Sequence, residues 1–227
     1  TKYLTPSNAW KNCPDSGSAP NNALLSVAGQ SLILGKPDSN ATYGWDNEYG
    51  QLPVEVNDFL ASQYLVSNQE FLRFVDAGGY QTTSYWSEEG QSWLEFSKTE
   101  MPRFWRLKDG QYWQRNLTEE ILLPLNWPVE VNFLEAKAFC NWKDSISDDS
   151  VRLPTEAEWQ VLRDQLDTDL ADWSQAPGNI NLEYFASSCP VDKFKQTEFY
   201  DVIGNVWQWS ESPIDGYEGF KVHPLYD

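Results

Sequence analysis

Redox and nucleophilic chemistry in proteins starts from histidine, cysteine and carboxylate side chains gathered within reach of one another. This 227-residue chain has a single histidine, His223, and three cysteines, Cys13, Cys140 and Cys189. A mononuclear iron site of the facial-triad type needs two histidines and a carboxylate, or three histidines. A structural zinc site needs four Cys or His ligands, and here such residues stand singly. No spacing suggests a His–Ser or His–Cys pair. The chain therefore carries no complete constellation for metal redox or nucleophilic catalysis, and a lone histidine is ordinarily a hydrogen-bonded structural residue. One stretch offers different chemistry: Asp201-Val202-Ile203-Gly204-Asn205-Val206-Trp207-Gln208-Trp209. Side-chain oxygens at Asp201 and Gln208, with backbone carbonyls at a glycine-containing turn, form the hard-oxygen set that Ca²⁺ accepts. A turn that merely buries two indoles explains the same residues.

Short helices, short strands and long loops must position these groups. Ser67-Asn68-Gln69-Glu70 reads as a capping box; Phe71, Phe74 and Val75 then recur at helical spacing until Gly78-Gly79 stops the helix. A second helix is expected over Ser87–Phe96, where Trp86, Trp93 and Phe96 fall on related turns. A third opens at Asn132 and runs to about Lys143, with Ala136, Phe139 and Cys140 on one face. Thr155-Glu156-Ala157-Glu158 is a further capping box, and Trp159, Leu162 and Leu166 give its helix an apolar stripe. Strands are expected at Ser31–Gly35, as a strand–turn–strand over Pro53–Val66, and around Asp109-Gly110 within Pro102–Tyr112. Residues 1–30 read as a polar linker or arm from a preceding domain, and residues 31–227 as one loop-rich α+β domain.

Composition narrows the partners. The net charge of −18, from 34 acidic against 16 basic residues, repels phosphate backbones and argues against nucleic acid. No stretch approaches the ~20 continuous apolar residues of a membrane span, and no basic-then-apolar leader is visible at Thr1–Trp10. A sparse, odd cysteine count argues against a disulfide framework and for a reducing, cytoplasmic setting, with Cys140 packed as a small hydrophobe. The sequons at Asn40 and Asn116 then read as chance matches. The chain begins with Thr1, so polypeptide is expected upstream.

Several ordered segments resemble the formylglycine-generating-enzyme (sulfatase-modifying-factor) fold. They are Phe59…Tyr64-Leu65-Val66-Ser67-Asn68…Phe71…Phe74, Ala136…Phe139-Cys140-Asn141-Trp142, Arg152-Leu153-Pro154-Thr155-Glu156-Ala157-Glu158-Trp159 and Gly204-Asn205-Val206-Trp207-Gln208-Trp209. Within that superfamily, another set is similar to the sulfoxide synthases of thiol-imidazole biosynthesis, the ovothiol branch in particular. It comprises Tyr43–Gly50, Tyr85–Gly90, Asn126–Val131, Ala186–Asp192 and His223-Pro224-Leu225-Tyr226-Asp227. The ergothioneine branch shares part of this set.

The resemblance implies an α+β fold related to C-type lectins and a non-haem Fe(II) oxygenase that joins the sulfur of cysteine to the imidazole of histidine with O₂. It implies iron ligands outside this chain, on an N-terminal, helical, DinB-like domain, and a C-terminal portion of the fold beyond Asp227. Tyr226 would match the tyrosine that steers coupling against plain thiol oxidation, a phenol able to give up a proton or hydrogen atom; an ordinary loop-end aromatic is the competing reading. Ca²⁺ in resembling proteins implies ligands at Asp201, Gly204, Val206 and Gln208, although glutamine stands where the family usually has glutamate. Copper-dependent formylglycine generators are disfavoured, because Cys189 is not part of a late cysteine pair. A non-catalytic, lectin-like binding module remains the reading from a different class.

Overall fold

The computed structural model describes residues 11–40, 43–166, 176–222 and 224. Each of its four α-helices begins where a side chain supplies the missing backbone partner. Ser67 Oγ accepts from Glu70 N–H ahead of α1 (Asn68–Asp76), and Ser87 accepts from Gly90 N–H ahead of α2 (Glu88–Ser97). Asn132 accepts from Glu135 N–H ahead of α3 (Phe133–Ser145), and Thr155 from Glu158 N–H ahead of α4 (Glu156–Arg163). Around α1, α3 and α4 the glutamate reaches back to the cap residue's N–H; the boxes at Ser67 and Thr155 were read from sequence, that at Asn132 only as a cap.

Among the described residues the strands are short and fall into three sheets. They are β1 (Leu24–Val27), β2 (Gln30–Leu34), β3 (Leu52–Val56), β4 (Phe59–Ser62), β5 (Trp105–Lys108), β6 (Gln111–Arg115) and β7 (Glu120–Leu122). β1 pairs with β4. β2 runs antiparallel to β3, with Leu32 opposite Val54. β5, β6 and β7 form an antiparallel meander, its first turn made by Asp109 and Gly110, both at positive φ. Strands β1 and β7 went unread in the sequence because each is only a few residues long. The stretch expected to be an arm is structured from Lys11 onward: Cys13 is buried, and residues 24–27 are strand β1.

The chain divides into two compact units. Among the described residues the larger takes in 11–23, 62–153 and 176–209; the smaller takes in 24–40, 43–61, 154–166, 210–222 and 224. In the smaller unit α4 packs on β2 and β3, and Ser212 Oγ accepts from Glu156 N–H at the helix start. The larger unit is built on rings. Phe71 stacks on Phe139 at 5.4 Å, Phe74 lies 5.7 Å from Trp142, and Trp105 meets Phe71 edge-on at 6.3 Å. Trp86 fits this core because its indole N–H donates to Gly79 O at 2.8 Å. Gly79 must be glycine, since a Cβ there would stand 2.2 Å from the Phe74 ring. In α3 the buried face is Ala138, Phe139, Cys140 and Trp142; Ala136, expected there, is only partly buried.

All three cysteines are buried and free. Burial pushes the Cys140 thiol up to about 11, so it packs as an inert hydrophobe. At Asn116 the amide nitrogen that glycosylation would need is itself buried.

Candidate functional site

Between Ala176 and Trp209 the larger unit has neither helix nor strand, and side-chain amides do the work of a backbone ladder. Asn179 donates to Phe185 O and Ser187 O, and accepts from the N–H groups of Tyr184 and Phe185. Gln196 donates to Ile203 O at 2.8 Å and accepts from Ile203 N–H at 3.1 Å, copying a two-bond strand pair. Asn205 does the same to Cys189, accepting from its N–H and donating to its carbonyl, both at 3.0 Å. Asn205 N–H in turn donates to Asn179 O. Asn and Gln suit such positions because one side chain offers both donor and acceptor. Asp201 and Asn205 both sit at positive φ, which their short polar side chains tolerate better than most, and Gly204 lies between them at φ +93°.

These bonds converge on Asp201, which is 0% exposed. Its Oδ2 accepts from Asn205 Nδ2 at 2.9 Å, while Oδ1 is buried without a hydrogen-bond partner. Burial pushes its carboxyl up to about 7; the Asn205 bond pulls the other way, and the Asp192 charge adds to the rise. Cys189, also fully buried, lies beside it in a small cluster with Cys13 and Trp127, and burial raises its thiol far above the ordinary value. Trp127 closes the cluster by donating its indole N–H to Asp15 O at 2.7 Å.

The structure brings Asp201, Gly204, Val206 and Gln208 into one turn, as the sequence suggests, but arranges them differently from a cation site. Gln208 turns its NH₂ inward, donating to Asp201 O at 2.7 Å and Val202 O at 3.2 Å. Gly204 O accepts from Val206 N–H at 2.8 Å. Asp201 Oδ1 is buried without a hydrogen bond, but Gln208, expected to offer its oxygen, presents its amide protons to the turn instead. The carried-over Ca²⁺ set does not fit this arrangement. An iron centre does not fit either: among the described residues no three His, Cys, Asp or Glu side chains are grouped to hold a metal. His223 and Tyr226 lie outside the described residues.

Nor does the turn bury two indoles. Trp207 is 101% exposed, whereas Trp209 donates to Val131 O at 3.0 Å and meets Phe133 edge-on at 5.9 Å. Sequence reasoning missed Asn179, Gln196 and Asn205. The available signal was polar amides recurring in a segment poor in regular structure, a pattern that also describes an ordinary loop.

Among the described residues, no helix is long and apolar enough to cross a membrane. Comparison with known proteins agrees with this architecture. The sulfatase-modifying factor enzyme 1-like domain matches residues 13–222. Hercynine oxygenase of Mycolicibacterium smegmatis is 29% identical over 208 residues, covering 86% of this chain and 46% of that protein. Its Mycobacterium tuberculosis counterpart is 26% identical over 210 residues, covering 83% and 46%. The formylglycine-generating enzyme of Bos taurus is 26% identical over 243 residues, covering 92% and 63%. The chain thus spans about half the length of the hercynine oxygenases it matches. The solved structure of PvdO from Pseudomonas aeruginosa shares the fold, with a TM-score of 0.52 at 18% identity over 82% of this chain and 69% of that one. A family match across nearly the whole sequence, on the mixed α+β scaffold described above, places the chain in the sulfatase-modifying factor enzyme 1-like (formylglycine-generating-enzyme) domain family.

Proposed function

We propose that this chain is the substrate-facing domain of a non-haem iron(II) sulfoxide synthase that joins the sulfur of cysteine to the imidazole of histidine with O₂, the first step of ovothiol synthesis. The observation that carries the reading is the likeness to hercynine oxygenases across 83–86% of the chain, joined to the ovothiol-type segments such as Tyr43–Gly50 and His223–Asp227. Because the described residues do not fit an iron centre, its ligands would come from polypeptide outside this chain, on a helical DinB-like domain. What these residues supply is a wall. Asn205, Asn179 and Gln196 fix a loop whose Trp207 projects fully into solvent, an aromatic face able to order an imidazole or a thiol substrate. Tyr226 is the proposed catalytic phenol, giving up a proton or hydrogen atom as the sulfur–carbon bond forms. Alone, the chain is expected to be inactive.

The test is an Fe(II)-loaded protein in which this chain is joined to such a histidine-bearing domain, supplied with cysteine, histidine and O₂. Mass spectrometry should find the histidyl-cysteine sulfoxide, and Tyr226→Phe should shift turnover toward oxidised cysteine. Absence of any coupled product from iron-loaded protein sinks the proposal. The relatives' name favours a second reading, an ergothioneine-type enzyme acting on hercynine. Supplying both imidazole substrates in competition separates the two. A lectin-like binding role would be favoured if no histidine-bearing domain accompanies the chain.

A further inference from the structure

The amides of Asn179, Gln196 and Asn205 imitate peptide groups, pairing a donor and an acceptor with a neighbouring backbone. Gln208 behaves otherwise. Its Nε2 alone is engaged, and two carbonyls one residue apart converge on it, Asp201 O at 2.7 Å and Val202 O at 3.2 Å. Convergence of backbone carbonyls on one electropositive point, beside a buried carboxylate with a spare oxygen, is how a loop receives a hard cation. Here that point is a neutral NH₂ group.

We infer that the Gln208 amide occupies the place of a divalent cation in the Asp201–Trp209 turn. The turn keeps its shape without metal, and the single change Gln208→Glu makes it a Ca²⁺ site. The physical reason is competition for the same oxygens. Ca²⁺ gathers six to eight oxygens at about 2.3–2.6 Å, whereas an amide nitrogen bonded to those carbonyls fills the space and presents protons to any approaching ion. A carboxylate in its place would face the two carbonyls with nothing to donate, leaving an all-oxygen set open to solvent on the Gln208 side. The clamp also has a positioning consequence. Gln208 stands between Trp207, fully exposed, and Trp209, docked on Phe133 and Val131, so its bonds fix the divergence of the two indoles. This inference does not depend on the reaction proposed above.

The experiment uses Tb³⁺ luminescence sensitised by the neighbouring indoles, with Ca²⁺ as displacer, and melting temperature in Ca²⁺ against EDTA. The net charge of −18 attracts cations diffusely, so one-to-one stoichiometry is the readout. The wild-type chain should show no saturable Tb³⁺ signal and one melting temperature in both buffers. Gln208→Glu should bind Tb³⁺ and Ca²⁺ at least about tenfold more tightly, with a melting temperature that rises on adding Ca²⁺. Stoichiometric, Ca²⁺-displaceable Tb³⁺ binding by wild type overturns the inference, and so does a folded Gln208→Glu variant that binds no better. Should Gln208→Glu fail to fold, Gln208→Met decides, since it keeps the length and removes both N–H groups. A lower melting temperature that Ca²⁺ does not restore supports the clamp; an unchanged one overturns it.

Discussion

Two parts of the larger unit are held by opposite means. Under α1 and α3, ring packs on ring: Phe71, Phe74, Trp86, Phe139 and Trp142 are all buried. Between Ala176 and Trp209, buried Asn179, Asn205 and Asp201 tie loop to loop through side-chain hydrogen bonds. The first kind of cohesion is non-directional and scales with area removed from water. The second is directional, and each bond leaves an unpaired buried group when broken. A ring core therefore absorbs modest changes of shape, while an amide-tied loop holds one conformation or loses it. That suits a segment required to present a fixed surface on a rigid base.

The contrast is first tested where the effect should be largest. Phe74 is 0% exposed and meets Tyr80, Trp86, Phe139 and Trp142. Phe74→Ala should cost about 4 kcal/mol in urea unfolding, from lost transfer energy and the cavity left behind. A loss near 1 kcal/mol would show that this cluster does not carry the unit. On the amide side, Asn205→Ala strips the partners from Cys189 N–H, Cys189 O and Asp201 Oδ2, and should cost about 3 kcal/mol. Asn205→Gly keeps the freedom to adopt φ +61° but loses the same bonds. A Gly variant as damaging as the Ala variant assigns the loss to hydrogen bonds; a Gly variant close to wild type assigns it to backbone strain and breaks the comparison.

The two parts also differed in how far the residues announced them. Helix starts were legible because caps are local: Ser67 with Glu70, and Thr155 with Glu158, declare themselves within one turn. The ring core was legible from periodicity through Phe71, Phe74 and Phe139, although Ala138 rather than Ala136 lies at its centre. The loop was not. Asn205 binds Cys189, 16 positions away, and no local pattern encodes a partner so distant. Asp201 and Gln208 were singled out as members of one turn, and their roles in it were not visible. Whether an amide turns its oxygen or its nitrogen inward depends on the carbonyls folded against it. Trp207 and Trp209 read alike in sequence, yet one is free and the other donates to Val131 O.

Titration sharpens the comparison at Asp201. Its carboxyl is pushed up to about 7 by burial, from an ordinary value of 3.8. The folded state thus holds a proton that the unfolded chain has already released. Its contribution is fully present below the unfolded value and is lost as pH rises through the folded one. Wild-type stability should therefore fall by an amount on the order of 2 kcal/mol from about pH 5 to about pH 8. Asp201→Asn, neutral throughout, should flatten that slope and leave the ring core untouched. A slope unchanged by the substitution would mean that the carboxylate is solvated, and that the loop interior is not the dry polar network described.

The smallest expected effect on stability is the most informative about function. Trp207 is 101% exposed, so Trp207→Ala removes no buried area and should move the unfolding free energy by less than about 0.5 kcal/mol. Trp209→Ala, by contrast, leaves Val131 O without its indole donor and Phe133 without its ring partner, and should cost about 1 kcal/mol. A large indole held in water by a rigid turn has no structural reason to stay there. If the loop forms the wall of a substrate site, Trp207→Ala should raise KM for the imidazole substrate in the iron-loaded, full-length protein while its melting temperature stays fixed. Unchanged kinetics would remove Trp207 from the wall, and the amide network would then be positioning something other than substrate.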